Sequence, residues 1–229
     1  MNQAEASAGS PSSDVIQVDI VSDVVCPWCI IGYKQFEKAL TLLEEPVEVR
    51  LRWQPFELNP QMPAEGQNLR EHLVQKAGIT PAQSEAARSR LTTLGDSLGF
   101  KFSFDDTMRI ANTFRAHQLL HWAHQHKLQT QLKLALFTAY FTQRKDINDI
   151  DELVSIAETA GLPGEEARAV LEDGRYAQAV RAEERWWLER EITGVPAFIF
   201  NQRYSVMGAQ DADTFVKVLH KTRELAKEA

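Results

Sequence analysis

The two cysteines of this 229-residue chain, Cys26 and Cys29, stand three positions apart in CPWC. That motif falls where an alternating apolar run gives way to helical spacing. Before it, VIQVDIVSD (15–23) is rich in Val and Ile and reads as a strand. After it, Ile30, Tyr33, Phe36, Leu40 and Leu43 recur at intervals of three and four, the mark of an amphipathic helix over 26–45. Pro46 ends that helix, and VEVRLRWQPF (47–56) alternates as a second strand. The result is a β-α-β unit of about forty residues with no GxGxxG, which excludes a dinucleotide fingerprint.

ELNPQMPAEGQN (57–68), with Pro60, Pro63 and Gly66, reads as a connecting loop. From about 69 to 192 the pattern is almost wholly helical. LREHLVQKAG, TMRIANTFRAHQLLHWAHQHK and LQTQLKLALFTAYFTQRK are each expected as helices. In DIDELVSIAETAGL, Asn148 or Asp149 is the expected cap and Gly161 the stop. No internal repeat is present. Strand signals return in PAFIFN (196–201) and RYSVMG (203–208), a hairpin turning at Asn201-Gln202. DADTFVKVLHKTRELAKE (211–228) closes as a helix capped by Asp211, with Phe215, Val218 and Leu219 on its apolar face. This order predicts an α/β thioredoxin-like fold with a large all-helical domain inserted after the second strand. The expected boundaries are 15–64 and 176–229 for the thioredoxin-like domain and 65–175 for the insertion. Residues 1–14, small and polar, are expected as a disordered tail.

A cysteine pair at this spacing admits three readings: a structural disulfide, half of a metal site, or a redox couple. A structural zinc site needs four Cys/His ligands, and there is no second CxxC. His117, His121 and His124 share one helix face but lack an obvious carboxylate partner, so they read as solvated or core histidines and no metal is expected. The tail resembles no signal peptide, and the apolar stretches are too short to span a bilayer, so the expected setting is the cytoplasm. Permanent disulfides are rare there. Net charge is −7 with no basic run, so neither nucleic acid nor a membrane surface is an expected partner.

The strand-to-helix context favours the redox reading. Pro27 suits the first helical position, which places Cys26 near the N-cap, where unpaired amides and the helix dipole favour an anion. Cys26 is therefore expected to be partly exposed and depressed below the free-thiol value of roughly 8.5, as the nucleophile. Cys29, one turn on and more buried, is the resolving thiol.

The wording of the chain resembles the DsbA family of thioredoxin-like oxidoreductases, in its FrnE-like subgroup, the polyketide-biosynthesis dithiol–disulfide isomerase type. The resemblance is carried by SDVVCPWCIIG (22–32), WQPFELNP (53–60), ANTFRAHQLLHWA (111–123), LFTAYF (136–141), DINDIDELVSIAETAGL (146–162), GVPAFIF (194–200) and YSVMGAQ (204–210). It implies a thiol–disulfide oxidoreductase or isomerase with an active-site loop of Pro27, Trp28, Val195 and Pro196. Pro196 is the implied cis-proline, and Val195 the residue offering its backbone to substrate. Asn112 and His117 match a recurring Asn-x4-His pattern and are implied to line the groove. Ile30 departs from the aromatic residue common after the second cysteine.

The resemblance implies no cofactor beyond the redox-active disulfide, with glutathione as a candidate electron donor or co-substrate. Implied partners are protein, peptide or small-molecule thiols and disulfides, and a homodimer is left open. The related alternative is a glutathione-dependent isomerase or kappa-class transferase of the 2-hydroxychromene-2-carboxylate isomerase type. Such enzymes typically carry Ser at the first-cysteine position, whereas both thiols are present in this chain.

Overall fold

β1 (Val15–Ser22) is the strand on which the molecule is organised, paired on both edges. It runs parallel to β2 (Glu48–Pro55), in register from Val15↔Glu48 to Ser22↔Pro55. On its other edge it runs antiparallel to β5 (Ala197–Phe200), which turns into β6 (Tyr204–Met207), giving the sheet order β2-β1-β5-β6. This computed structural model describes residues 15–228, and the expected tail at 1–14 lies outside them. Asn201 and Gln202 take left-handed conformations at the hairpin, with φ of 49° and 55°, and the Arg203 amide closes the turn on the Phe200 carbonyl.

Alternation along the strands divides the core into two faces. Val18, Ile20, Phe198 and Phe200 point to α1 (Pro27–Leu42) and the terminal helix α9 (Ala212–Lys227). Phe36 of α1 sits there among the rings of Phe198, Phe200 and Phe215, at centroid distances of 5.8, 6.3 and 5.5 Å. A ring fully withdrawn from water contributes about 1.5–3 kcal/mol. Val21, Ala197 and Ile199 face the opposite way, onto Trp187. Trp187 belongs to α8 (Ala177–Leu188). Asp211 caps α9 by accepting from the Thr214 amide.

Between β2 and α8 lie α2 (Leu69–Ala77), α3 (Pro81–Ser97), α4 (Phe114–Gln125), α5 (Gln129–Phe137), α6 (Ile150–Thr159) and α7 (Gly164–Asp173). One buried apolar cluster runs from the sheet into these helices. Gln129 of α5 clamps the Trp53 backbone of β2, accepting from its amide and donating to its carbonyl, both at 2.9 Å.

Three expectations change. A two-strand ribbon, β3 (Gln67–Asn68) with β4 (Arg109–Ile110), interrupts the helical block. The helix expected from residue 107 therefore begins only at Phe114, whose amide is taken by the Asn112 side chain. The helix expected from 128 to 145 widens into a π-turn over Thr138–Thr142, which buries Ala139, Tyr140 and Phe141 together. α1 stops at Leu42, before Pro46.

Candidate active site

Cys26 is the N-cap of α1, with extended φ −91° and ψ 112°, and Pro27 opens the first turn. No side chain caps this end; Pro27 carries no amide proton, and the Trp28 amide is the first-turn donor left to an anion. The Cys29 amide donates to the Cys26 carbonyl at 3.1 Å, which folds Cys29 back beneath Cys26. Both cysteines are free thiols; Cys26 is 4 % exposed and Cys29 fully buried, while Trp28 between them is 47 % exposed. The 194–196 turn comes up against this loop. The Val195–Pro196 peptide bond is cis, and the Cys26 Sγ lies 3.8 Å from the Val195 carbonyl oxygen. Gly32 permits the approach: a Cβ there would stand 3.3 Å from the Pro196 ring.

Beneath the thiols is a buried polar group that sequence reasoning missed. Asp23 accepts from the Leu58 amide at 2.7 Å and lies 3.4 Å from the His117 Nε2. That nitrogen is also 3.1 Å from the Phe56 carbonyl, which can only accept, so Nε2 carries a proton. Lys133 of α5 is fully buried, donates to the Ser22 carbonyl at 3.3 Å and lies over the rings of Trp53 and Phe137. Burial pushes Lys133 down to about 8, against the opposing pull of Cys29, Asp23 and Cys26. Burial also works against charge on Asp23, yet His117, the Leu58 amide and Lys133 hold it below the usual carboxylate range.

The two thiols titrate as a pair. Cys26 lies well above the ordinary thiol range, first through its hydrogen bond with Cys29, then through burial and the Cys29 and Asp23 charges. On Cys29 burial opposes charge, but the hydrogen bond from Cys26, the Lys133 cation and the Ser22 hydroxyl outweigh it and hold that thiol low. This corrects the expectation of a partly exposed, depressed Cys26. Lys133 favours charge on Cys29, and the buried Asp23 carboxylate disfavours it on Cys26.

Cys26, Cys29, Pro27, Trp28, Val195 and Pro196 come together, whereas Asn112 and His117 are held in hydrogen bonds within the fold. Asn112 donates to the Met62 carbonyl at 2.9 Å and tethers the 57–66 loop to the start of α4. His117 is 2 % exposed, behind the dithiol. His117 and His121 are spent on separate partners, the latter 3.2 Å from Glu183, and no metal-holding cluster occurs among the described residues. The signal for Lys133 was a lone lysine inside the apolar run LKLALF, three and four residues before Leu136 and Phe137 and so on the buried face of α5.

A four-stranded sheet with a buried dithiol at the head of its first helix and a cis-proline turn against it defines a thioredoxin-like thiol protein. The chain matches the DSBA-like thioredoxin domain family over residues 17–220 and belongs to that family. It is 35% identical to a "probable DsbA oxidoreductase" from Streptomyces coelicolor, whose crystal structure aligns over 90% of this chain and 89% of that one with a TM-score of 0.86. The uncharacterized protein YwbO of Bacillus subtilis is 27% identical over 205 residues, 89% of this chain and 96% of the relative. The fold is also shared with the cytosolic disulfide reductase DsbM of Pseudomonas aeruginosa, solved with glutathione. That likeness has 16% identity, a TM-score of 0.54, and covers 93% of this chain and 98% of the other. No helix among the described residues is long and apolar enough to cross a membrane.

Proposed function

We propose that the protein exchanges disulfides through Cys26 and Cys29, as an oxidoreductase or isomerase of thiol substrates. The observation that carries this reading is the Cys26 Sγ at the N-cap of α1, 3.8 Å from the Val195 carbonyl, with Cys29 buried one turn behind. A fully buried Cys29 is closed to an external disulfide, so Cys26 is the sulfur that meets substrate.

In the reduced pair, with one proton shared between the two sulfurs, that proton moves to Cys29 as Cys26 attacks one sulfur of R–S–S–R′. The Cys26–S–S–R bond forms and R′S⁻ leaves, taking the proton now on Cys29. The Cys29 thiolate then attacks the Cys26 sulfur, forming the internal disulfide and releasing RS⁻. The substrate gains two electrons and the dithiol loses two. Two molecules of a small thiol return them and leave as one disulfide. Glutathione is the candidate, supported by its presence with DsbM, and the reading places the cycle in the cytoplasm, where such thiols abound. Run in reverse, the same steps oxidise a dithiol.

A Cys29→Ser variant exposed to glutathione disulfide tests this. Accumulation of one glutathione on Cys26, seen by mass spectrometry, is the expected result; an unmodified Cys26 sinks the proposal.

A further inference from the structure

Beside the dithiol lies a groove of about 640 Å³, within the range of small-molecule sites. Val25 and Pro27, the two neighbours of Cys26, form part of its lining, and helices α2 and α3 supply much of the rest. α2 is sharply delimited, capped by Asn68 at one end and closed by a left-handed Gly78 at the other. Yet it is the one helix among those described with no buried residue. Leu69 and Leu73 are only half-buried, and both line the groove. An apolar helix face in this state has been left for something other than the protein's own core.

The charge on the lining is one-sided. The chain carries 32 acidic and 25 basic residues, but no Asp or Glu lines the groove, whereas Lys76 and Arg88 both do. Lys76 donates only to neutral oxygens, the Leu58 carbonyl at 2.9 Å and the Asn59 side chain at 2.6 Å. Arg88, 8 % exposed, shares the single carboxylate of Asp106 with Arg70, so two cations meet one anion. The Arg88 Nε and Nη2 and the Ser84 hydroxyl have no hydrogen-bond partner among the described residues, a costly arrangement for buried donors.

We propose that this groove binds the substrate of the dithiol as a small apolar organic acid, its apolar body along α2 and α3 and its anionic group at the Lys76–Arg88 wall. The apolar lining suits a compact aromatic or aliphatic body and not glutathione, which is polar and carries an ammonium and two carboxylates. The claim rests on the exchange reading only for the presence of sulfur in the physiological ligand; the groove's selectivity is independent of it.

The test uses the Cys26→Ser protein, in which exchange cannot occur, so its outcome stands apart from that of the redox experiment. Two fluorescent probes share their rings and differ in charge: anilinonaphthalene sulfonate and the neutral phenylnaphthylamine. The sulfonate is expected to bind at a single site about tenfold or more tightly than the amine, the worth of one charge-assisted contact. Lys76→Met and Arg88→Met should each erode that advantage; Lys76 is exposed, so its variant stays informative if Arg88→Met fails to fold. In the wild-type protein the sulfonate should slow alkylation of Cys26. Equal affinity for the two probes, or an advantage that survives both substitutions, overturns the proposal. So does preferential binding of an extended neutral apolar peptide, which would make the groove a peptide site.

Discussion

Replacing Lys133 with methionine removes a fully buried ammonium and leaves an apolar side chain of similar length among Trp53, Phe137 and the dithiol. The fall of Lys133 from its ordinary 10.5 to about 8 means that holding the charged form inside the protein costs about 3 kcal/mol at neutral pH. A depressed lysine binds fewer protons folded than unfolded in the window between the two values, so stability rises with pH across it. The disulfide form is the one to measure, because there the thiolate that pulls Lys133 upward is gone and the value lies no higher. Urea unfolding of the wild type and Lys133→Met should therefore give curves that diverge as pH rises from 7 to 10. The wild type should gain about 3 kcal/mol more than the variant over that range. Tyr33 and Tyr140, both raised by burial, titrate alike in the two proteins and cancel in the comparison. A constant difference between the curves would refute the description of Lys133 as a buried, destabilised cation.

Asp23→Asn keeps an acceptor for the Leu58 amide and deletes one of the charges that oppose ionisation of Cys26. The pH profile of Cys26 alkylation should move to lower pH, and an unmoved profile would remove Asp23 from the electrostatics of the site. Phe36→Ala opens a hole among Phe198, Phe200 and Phe215 under the head of α1 and should cost about 3–5 kcal/mol in chemical unfolding. A loss below 1 kcal/mol, on the order of a surface change, would mean that this cluster does not anchor the helix carrying the thiols.

What the sequence disclosed and what it hid divide along a physical line. β1, α1 and the terminal hairpin were legible because each carries its own period, and the Asp149 and Asp211 caps because a cap is a local hydrogen bond. The β3–β4 ribbon has two residues per strand, too few to show alternation, and its pairing spans more than forty positions. The π-turn at Thr138–Thr142 follows an unbroken helical spacing, so only tertiary contacts such as the Tyr140 hydroxyl on the Arg109 carbonyl distinguish it. At the site, the position of the dithiol was readable but its ionisation was not. The N-cap argument concerns α1 alone, whereas the shifts follow first from the contact between the two thiols and their burial, and then from Lys133 on α5 and from Asp23.

The central claim is that Cys26 and Cys29 work as one two-electron couple, and a redox equilibrium tests it most directly. The wild-type protein would be equilibrated across a series of glutathione–glutathione disulfide mixtures, quenched, and its free thiols counted. Both thiols should disappear together in a single transition, leaving an internal disulfide and no bound glutathione at the end point. Thiols that stay free throughout, or a stable glutathione adduct on Cys26 with Cys29 still reduced, would contradict the account.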